Sequence, residues 1–302
     1  MHTALVTGAC GFVGRSLVQA LTGQYNYRVF AVDCVSGEHF ADNSSVEYIC
    51  SDLTNINGLA DKIWECDVVF HLAWAGVRPE LRSNITVQKK NIDISINVIR
   101  LAQQAHIRRA VFLGSTMEYC YNESPICDTS FPTPSNCYGS CKIAVRFICE
   151  QMCRENGIEF EYAVVTSIYG PGREDSNVIF YCIKQLLEGR SPNVSKCTQR
   201  WDFVHISDAV NALVLIAQKG TPFSCYAVGT GENRILKDYI SIISNEIDSS
   251  KSVNYGARKN NDSRIQNSAV DITRLTNDTG YKPAYSFSSG IREIINYYRS
   301  KK

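Results

Sequence analysis

Short apolar runs alternate with stretches of helical period through the first half of the chain. Thr3–Val6, Arg28–Val32, Val46–Cys50, Asp67–Ala73 and Ala110–Leu113 read as buried strands. Between the first two, Val13, Leu17 and Leu21 recur at helical spacing and form one stripe. Strands that alternate with helices need crossover connections, which predicts a parallel sheet covered on both faces. Asn91–Ala105 carries two signals. Its first residues alternate like a strand, but Ile92, Ile96 and Ile99 form one helical stripe and Ile94, Val98, Leu101 and Ala105 a second. Lying between two strand candidates, it is expected to be a helix buried on two sides, one against the sheet and one against a partner chain. Past about residue 165 loops such as Gly170-Pro171-Gly172 separate helices expected near 176–188, 207–219, 235–247 and 287–299.

Directly after the first strand stands Gly8-Ala9-Cys10-Gly11-Phe12-Val13-Gly14, with the helical stripe following at once. Glycines permit a tight turn and close approach of backbone to a diphosphate. The helix start adds unpaired N–H groups and partial positive charge. The strand–turn–helix context makes this a dinucleotide-binding turn. Asp33, ending the second strand, is placed to accept both hydroxyls of an adenosine ribose and to repel a 2′-phosphate, which favours NAD over NADP. Asp52 and Leu53 follow the third strand and are expected to border the adenine.

Composition adds mainly exclusions. The 302 residues suit one large domain or two closely packed ones. Thirty-one Lys and Arg against 30 Asp and Glu leave a net charge of +1, too weak a field for nucleic acid or an anionic membrane. Any anionic ligand must be held locally. The start Met1-His2-Thr3-Ala4-Leu5-Val6 lacks a basic segment before a long apolar one, so neither signal peptide nor membrane span is expected, and the cytoplasm is the default. Thirteen cysteines include Cys50, Cys66, Cys149 and Cys182 within apparent strands or helices. Cys149 and Cys153 share a helix face, but no further pair of metal ligands is evident. Reduced thiols acting as small apolar groups, and no metal, is the expectation.

Tyr138-Gly139-Ser140-Cys141-Lys142 puts a phenol and an ammonium one helical turn apart, and Ser115 ends the preceding strand. A phenol titrating near pH 10 is a poor base at neutral pH, and lowering it by roughly 3 pH units requires about 4 kcal/mol. One cation about 4 Å away supplies about that much at an effective dielectric of about 20. Lys142 would thus nearly suffice, while Ser115 holds the substrate oxygen and shares the travelling proton.

Together these residues resemble the extended short-chain dehydrogenase/reductase family, in particular its NAD-dependent epimerase/dehydratase group of nucleotide-sugar enzymes. Gly8–Gly14 is similar to the group's glycine fingerprint, Val69-Phe70-His71-Leu72-Ala73 to its fourth strand and Tyr138/Lys142 to its Y-x-x-x-K. Ile168–Gly172, Trp201–Asp208 and Gly280-Tyr281-Lys282-Pro283 resemble later segments. The resemblance implies an α/β fold: a Rossmann-type doubly wound parallel sheet with a smaller α/β substrate-binding domain. The dinucleotide-binding domain would be 1–165, joined by 203–228, and the nucleotide-sugar domain 166–302. It also implies Leu72, Ala73 and Asn91 beside the cofactor, Thr116, Met117, Ser167, Asn177, Arg200, Arg258 and Asp262 toward the substrate, and a homodimer.

Departures narrow the chemistry. The group's 4,6-dehydratases carry an Asp-Glu pair just after the catalytic Ser or Thr, whereas Thr116 and Met117 follow Ser115 here and supply neither acid nor base. The group's usual Arg before Asp-Phe is Trp201, leaving Arg200 or Arg258 to meet the phosphates, and Ser167 stands where Asn is usual. Two outcomes remain. One is a carbon-4 epimerase that retains its NAD; the other is a 4-keto-6-deoxy nucleotide-sugar reductase using NAD(P)H. A dinucleotide-binding regulator without catalysis is a third, disfavoured because Tyr138, Lys142 and Ser115 are all present.

Overall fold

The computed structural model describes residues 2–121, 123–173, 177–248, 250–258 and 267–300. Its strands are β1 His2–Thr7, β2 Tyr27–Asp33, β3 Val46–Cys50, β4 Val68–His71, β5 Arg109–Ser115, β6 Glu159–Val165, β7 Ser167–Tyr169, β8 Asn193–Val194, β9 Arg200–Trp201, β10 Phe203–His205, β11 Ser224–Val228, β12 Arg234–Ile235 and β13 Asn254–Tyr255. The helices are α1 Phe12–Gly23, α2 Ile85–Gln104, α3 Cys137–Asn156, α4 Val178–Leu187, α5 Ile206–Lys219, α6 Leu236–Ile247, α7 Thr273–Thr279 and α8 Phe287–Ser300.

Seven strands form one parallel sheet in the order β11-β6-β5-β4-β1-β2-β3. Its strands are apolar on both sides because both faces are covered. Leu17, Val18 and Leu21 of α1 and Ala209, Leu213 and Ile216 of α5 pack on one face. Val98, Ile99 and Ala102 of α2 and Val145, Cys149 and Cys153 of α3 pack on the other. The last two cysteines are thus core residues whose thiols burial pushes up. A third apolar cluster joins α4, α6 and α8 around Tyr169 and Phe203. Among the described residues no helix is long and apolar enough to cross a membrane.

The helical reading of Asn91–Ala105 holds, and α2 starts earlier, at Ile85, where the Asn84 side chain accepts the Val87 N–H. The strand expected over Asp67–Ala73 stops at His71. Leu72 and Ala73 belong to the turn beyond it, at the carboxyl end of the sheet where chain order reverses between β1 and β4. Open α/β sheets bind ligands in that crevice.

Candidate active site

The glycine turn is built around one close approach. Gly8 has φ +69°, and a Cβ there would lie 2.6 Å from the Ala73 nitrogen. A Cβ on Gly14 would meet the Gly8 carbonyl oxygen at 2.1 Å. Only glycines let β1, α1 and the turn after β4 converge this tightly. Gly11 caps α1 without a side-chain hydrogen bond, and the first turn holds no acidic residue. The N–H groups around Phe12, Val13 and Gly14 therefore lack a side-chain acceptor, as a diphosphate site requires. Asp33 ends β2 beside this turn, its carboxylate accepting the Cys10 N–H at 2.9 Å and the Cys34 N–H at 2.7 Å. Asp52 lies exposed past the end of β3 and Leu53 is buried next to it. This cradle fits a dinucleotide: a backbone-lined turn, a free helix start and a carboxylate at the neighbouring strand end.

The second half of the site is carried by α3. Asn136 accepts the Gly139 N–H at 3.0 Å, and the Arg82 carbonyl accepts the Tyr138 N–H at 2.8 Å. A Cβ on Gly139 would lie 2.4 Å from the Met117 carbonyl oxygen. That contact seats the first turn of α3 against Thr116–Glu118 and brings Tyr138 to Ser115. Burial pushes the Tyr138 phenol up, a hydrogen bond with Ser115 pulls it down, Glu118 pushes it up, and Arg82 and Arg173 draw it down.

Lys142 is buried too. Its Nζ donates to the Leu113 carbonyl at 2.6 Å, lies 3.8 Å from the Trp74 ring centre and 6.0 Å from that of Tyr138. Burial lowers its proton affinity, against the pull of Glu118. Lys142 thus has the Leu113 carbonyl and the Trp74 ring as partners, and Arg82 and Arg173 are further cations that draw the phenol down.

Four residues emerge that spacing did not single out: Trp74, Arg82, Glu118 and Arg173. Glu118 is fully buried, raised by burial, and its carboxylate accepts the Ser115 N–H at 2.7 Å and the Tyr162 hydroxyl at 3.0 Å. With the Ser115 side chain accepting the Met117 N–H, this closes a capping box. Ser115-x-x-Glu118 is a legible signature of that motif. Trp74 is fixed by its Nε1 donating to Gln88 Oε1 at 2.9 Å. Gln88 in turn holds the Gly76 and Leu81 carbonyls.

The remaining expected residues divide. Leu72 and Ala73 adjoin Gly8. Asn91 is not open to a ligand in the way expected: its amide is paired with both the N–H and the C=O of Ala75, so it shapes the loop. Beneath the same loop His71, neutral with burial lowering it to about 3, bridges Thr7 and Ser95. Thr116 and Met117 line the turn after β5. Ser167 accepts the Trp201 Nε1 at 2.8 Å, so the two departures from the group's pattern bond to each other. Asn177 caps α4. Arg200 is exposed and donates to the Asn233 carbonyl at 2.8 Å, while Arg258 is exposed over the Tyr181 ring. Each is held by a local partner. Asp262 lies outside the described residues. In the Trp201–Asp208 segment, Asp202 is fully buried and ties the Thr230 and Gly231 N–H groups, and Asp208 ties those of Ala284 and Tyr285, so these acids fasten loops.

The model of the NAD dependent epimerase/dehydratase family matches residues 4–229. The chain belongs to that family. Family membership accounts for the glycine turn, the α3 pair and the sheet order together. The chain is 25% identical to a UDP-glucose 4-epimerase of Mycolicibacterium smegmatis over 98% of each chain. It is 24% identical to the CDP-abequose synthase of Salmonella muenchen, over 97% of this chain and 96% of that one. A solved UDP-N-acetylglucosamine 4-epimerase of Methanobrevibacter ruminantium shares the fold at a TM-score of 0.89 and 23% identity, covering 100% of this chain and 99% of that one.

Proposed function

We propose that this family member is an NAD-dependent nucleotide-sugar epimerase acting at carbon 4 of a nucleoside-diphosphate hexose, through a transient keto sugar. The observation that carries the reading is the buried Tyr138 phenol, hydrogen-bonded with Ser115, at the end of the sheet where Gly8 closes on Ala73. Gly8, Gly11, Phe12, Val13 and Gly14 would hold the dinucleotide's diphosphate, Asp33 its ribose, with Asp52 and Leu53 toward the adenine. When bound, it supplies a reversible hydride acceptor. Tyr138 takes the proton of the carbon-4 hydroxyl while Ser115 holds the same oxygen. The proton returns to that oxygen once the ketone is reduced on its other face. Trp74 packs edge-on against the Tyr138 ring, their centres 5.7 Å apart.

Glu118, the carboxylate beside Ser115, is turned under the strand against Tyr162. This supports epimerisation over water expulsion, which needs an acid or base open to the sugar. A second reading, a 4-keto-6-deoxy nucleotide-sugar reductase, is supported by the similarity to CDP-abequose synthase.

A panel of UDP-, dTDP-, CDP- and GDP-hexoses and their 4-keto-6-deoxy forms separates the readings. Epimerase predicts a new 4-epimer with no net change in cofactor absorbance. Stoichiometric NAD(P)H loss with a keto sugar supports the reductase instead. No turnover of any member sinks both.

We further propose a homodimer through α2 and α3. Its support is the exposed apolar side of this pair, Ile85 at 58%, Phe147 at 56% and Ile148 at 39% exposure. Light scattering that finds only monomer at micromolar concentration would contradict it.

A further inference from the structure

The groups facing the Tyr138 phenol come from six segments of the chain. Lys142 lies one turn along α3, and Ser115 ends β5. Glu118 sits in the turn that follows β5, and Tyr162 is on β6. Arg82 follows β4, and Arg173 follows β7. Among the cations Lys142 is the least secure, since burial disfavours its ammonium. A guanidinium keeps its charge throughout the working pH range. Arg173 stands 5.6 Å from the Phe12 ring at the start of α1, on the diphosphate side of the site. Arg82 stands over the phenol itself.

Its position is braced from several directions. The Arg82 carbonyl accepts the Tyr138 N–H at 2.8 Å. The Arg82 Nε donates to the Val77 carbonyl at 2.9 Å, and Nη1 contacts Met117 Sδ at 3.9 Å. The guanidinium carbon then lies 5.8 Å from the centre of the Tyr138 ring. One residue thus fastens the loop after β4 to the first turn of α3 and covers the ring of the residue it fastens.

We propose that Arg82 is a positioning residue that supplies the constant positive charge needed to ease the proton off Tyr138, with Lys142 as its partner. The proposal rests on Tyr138 being the acid–base group, and it adds a second cation, from a separate loop, to the Tyr/Lys pair. No covalent step is involved; only the proton's balance between phenol and substrate oxygen changes.

The test uses the full chain with tyrosines labelled with carbon-13 at the ring carbon bearing oxygen, without sugar. The Tyr138 resonance is assigned by its loss in Tyr138→Phe. In Arg82→Gln, which keeps the main-chain carbonyl, the titration midpoint should rise by about one pH unit or more. Arg82→Lys should hold it near the original value. Where turnover is present, the acid limb of kcat/KM should move upward by the same amount in Arg82→Gln. The rate at pH 7 should fall about tenfold and recover in Arg82→Lys. A midpoint and acid limb unchanged in Arg82→Gln, or displaced equally in Arg82→Lys, overturn the proposal. A protein whose Tyr138 titrates as expected but turns over no nucleotide sugar overturns the functional reading and leaves this one standing.

Discussion

The ammonium of Lys142 rests 3.8 Å from the centre of the Trp74 ring. The indole is itself fixed by Gln88, so this cation is held by an aromatic face and the Leu113 carbonyl, not by direct approach to the phenol. A cation over a desolvated indole is stabilised by about 1–2 kcal/mol. Trp74→Leu should therefore make Lys142 lose its proton more easily and lower the alkaline limb of the rate by about one pH unit. Trp74→Phe should lower it less. A pH–rate profile of the three proteins checks the order, and an unmoved alkaline limb in Trp74→Leu contradicts it.

Gly8→Ala should abolish dinucleotide binding. The new Cβ would sit 2.6 Å from the Ala73 nitrogen on a residue with φ +69°, so β1 and the turn after β4 must separate. A destabilisation of about 2–4 kcal/mol is expected from strain and clash together. Thermal melting with and without NAD measures both effects; a variant that melts like the parent and still gains stability from NAD contradicts the account.

Asp33→Ser should weaken the preference for NAD. The carboxylate at the end of β2 repels a 2′-phosphate, and its removal should narrow the NAD:NADP affinity ratio by about tenfold or more, equivalent to about 1.4 kcal/mol. Because Asp33 also accepts the Cys10 and Cys34 N–H groups, affinity for both dinucleotides should fall as well. Paired Kd values from fluorescence titration decide the matter.

Glu161 gives a pH-dependent stability of known sign. Its carboxyl is fully buried with neither oxygen hydrogen-bonded, Arg109 Nε stands 3.6 Å away, and burial pushes it up to about 8 from 4.5. Between those values the folded protein keeps a proton that the unfolded chain has lost. Stability therefore falls as pH rises through this window. Glu161→Gln removes the proton exchange. It should match the parent near pH 5 and exceed it by about 1–3 kcal/mol near pH 8.5. Denaturant melts at the two pH values test this, and a constant difference between them would count against it.

Much of the scaffold was readable because its signals are local. The stripe Val13, Leu17 and Leu21, the strand run around Val69 and the glycine turn each declare their element within one short window. The spacing of Tyr138 and Lys142 likewise places both on one helix. Glu118 is equally local, as half of the capping box Ser115-x-x-Glu118. Trp74, Arg82 and Arg173 carried no such pattern. Arg200 and Arg258, which the family resemblance sets toward the phosphates, are exposed and each engaged with a neighbouring group, which nothing in their spacing signals.

The sequence by itself determined the order of strands and helices, the backbone-lined turn for a dinucleotide and the presence of phenol, hydroxyl and ammonium. These follow from periodicity, glycine spacing and helix geometry, which act over a few residues. Only the tertiary structure decided which charges surround the phenol and which polar groups are already spent. Asn91 is committed to Ala75, Ser167 to Trp201, and Glu118 to Ser115 and Tyr162. Burial and electrostatic coupling depend on distances between segments far apart in the chain, and no spacing within one segment encodes them.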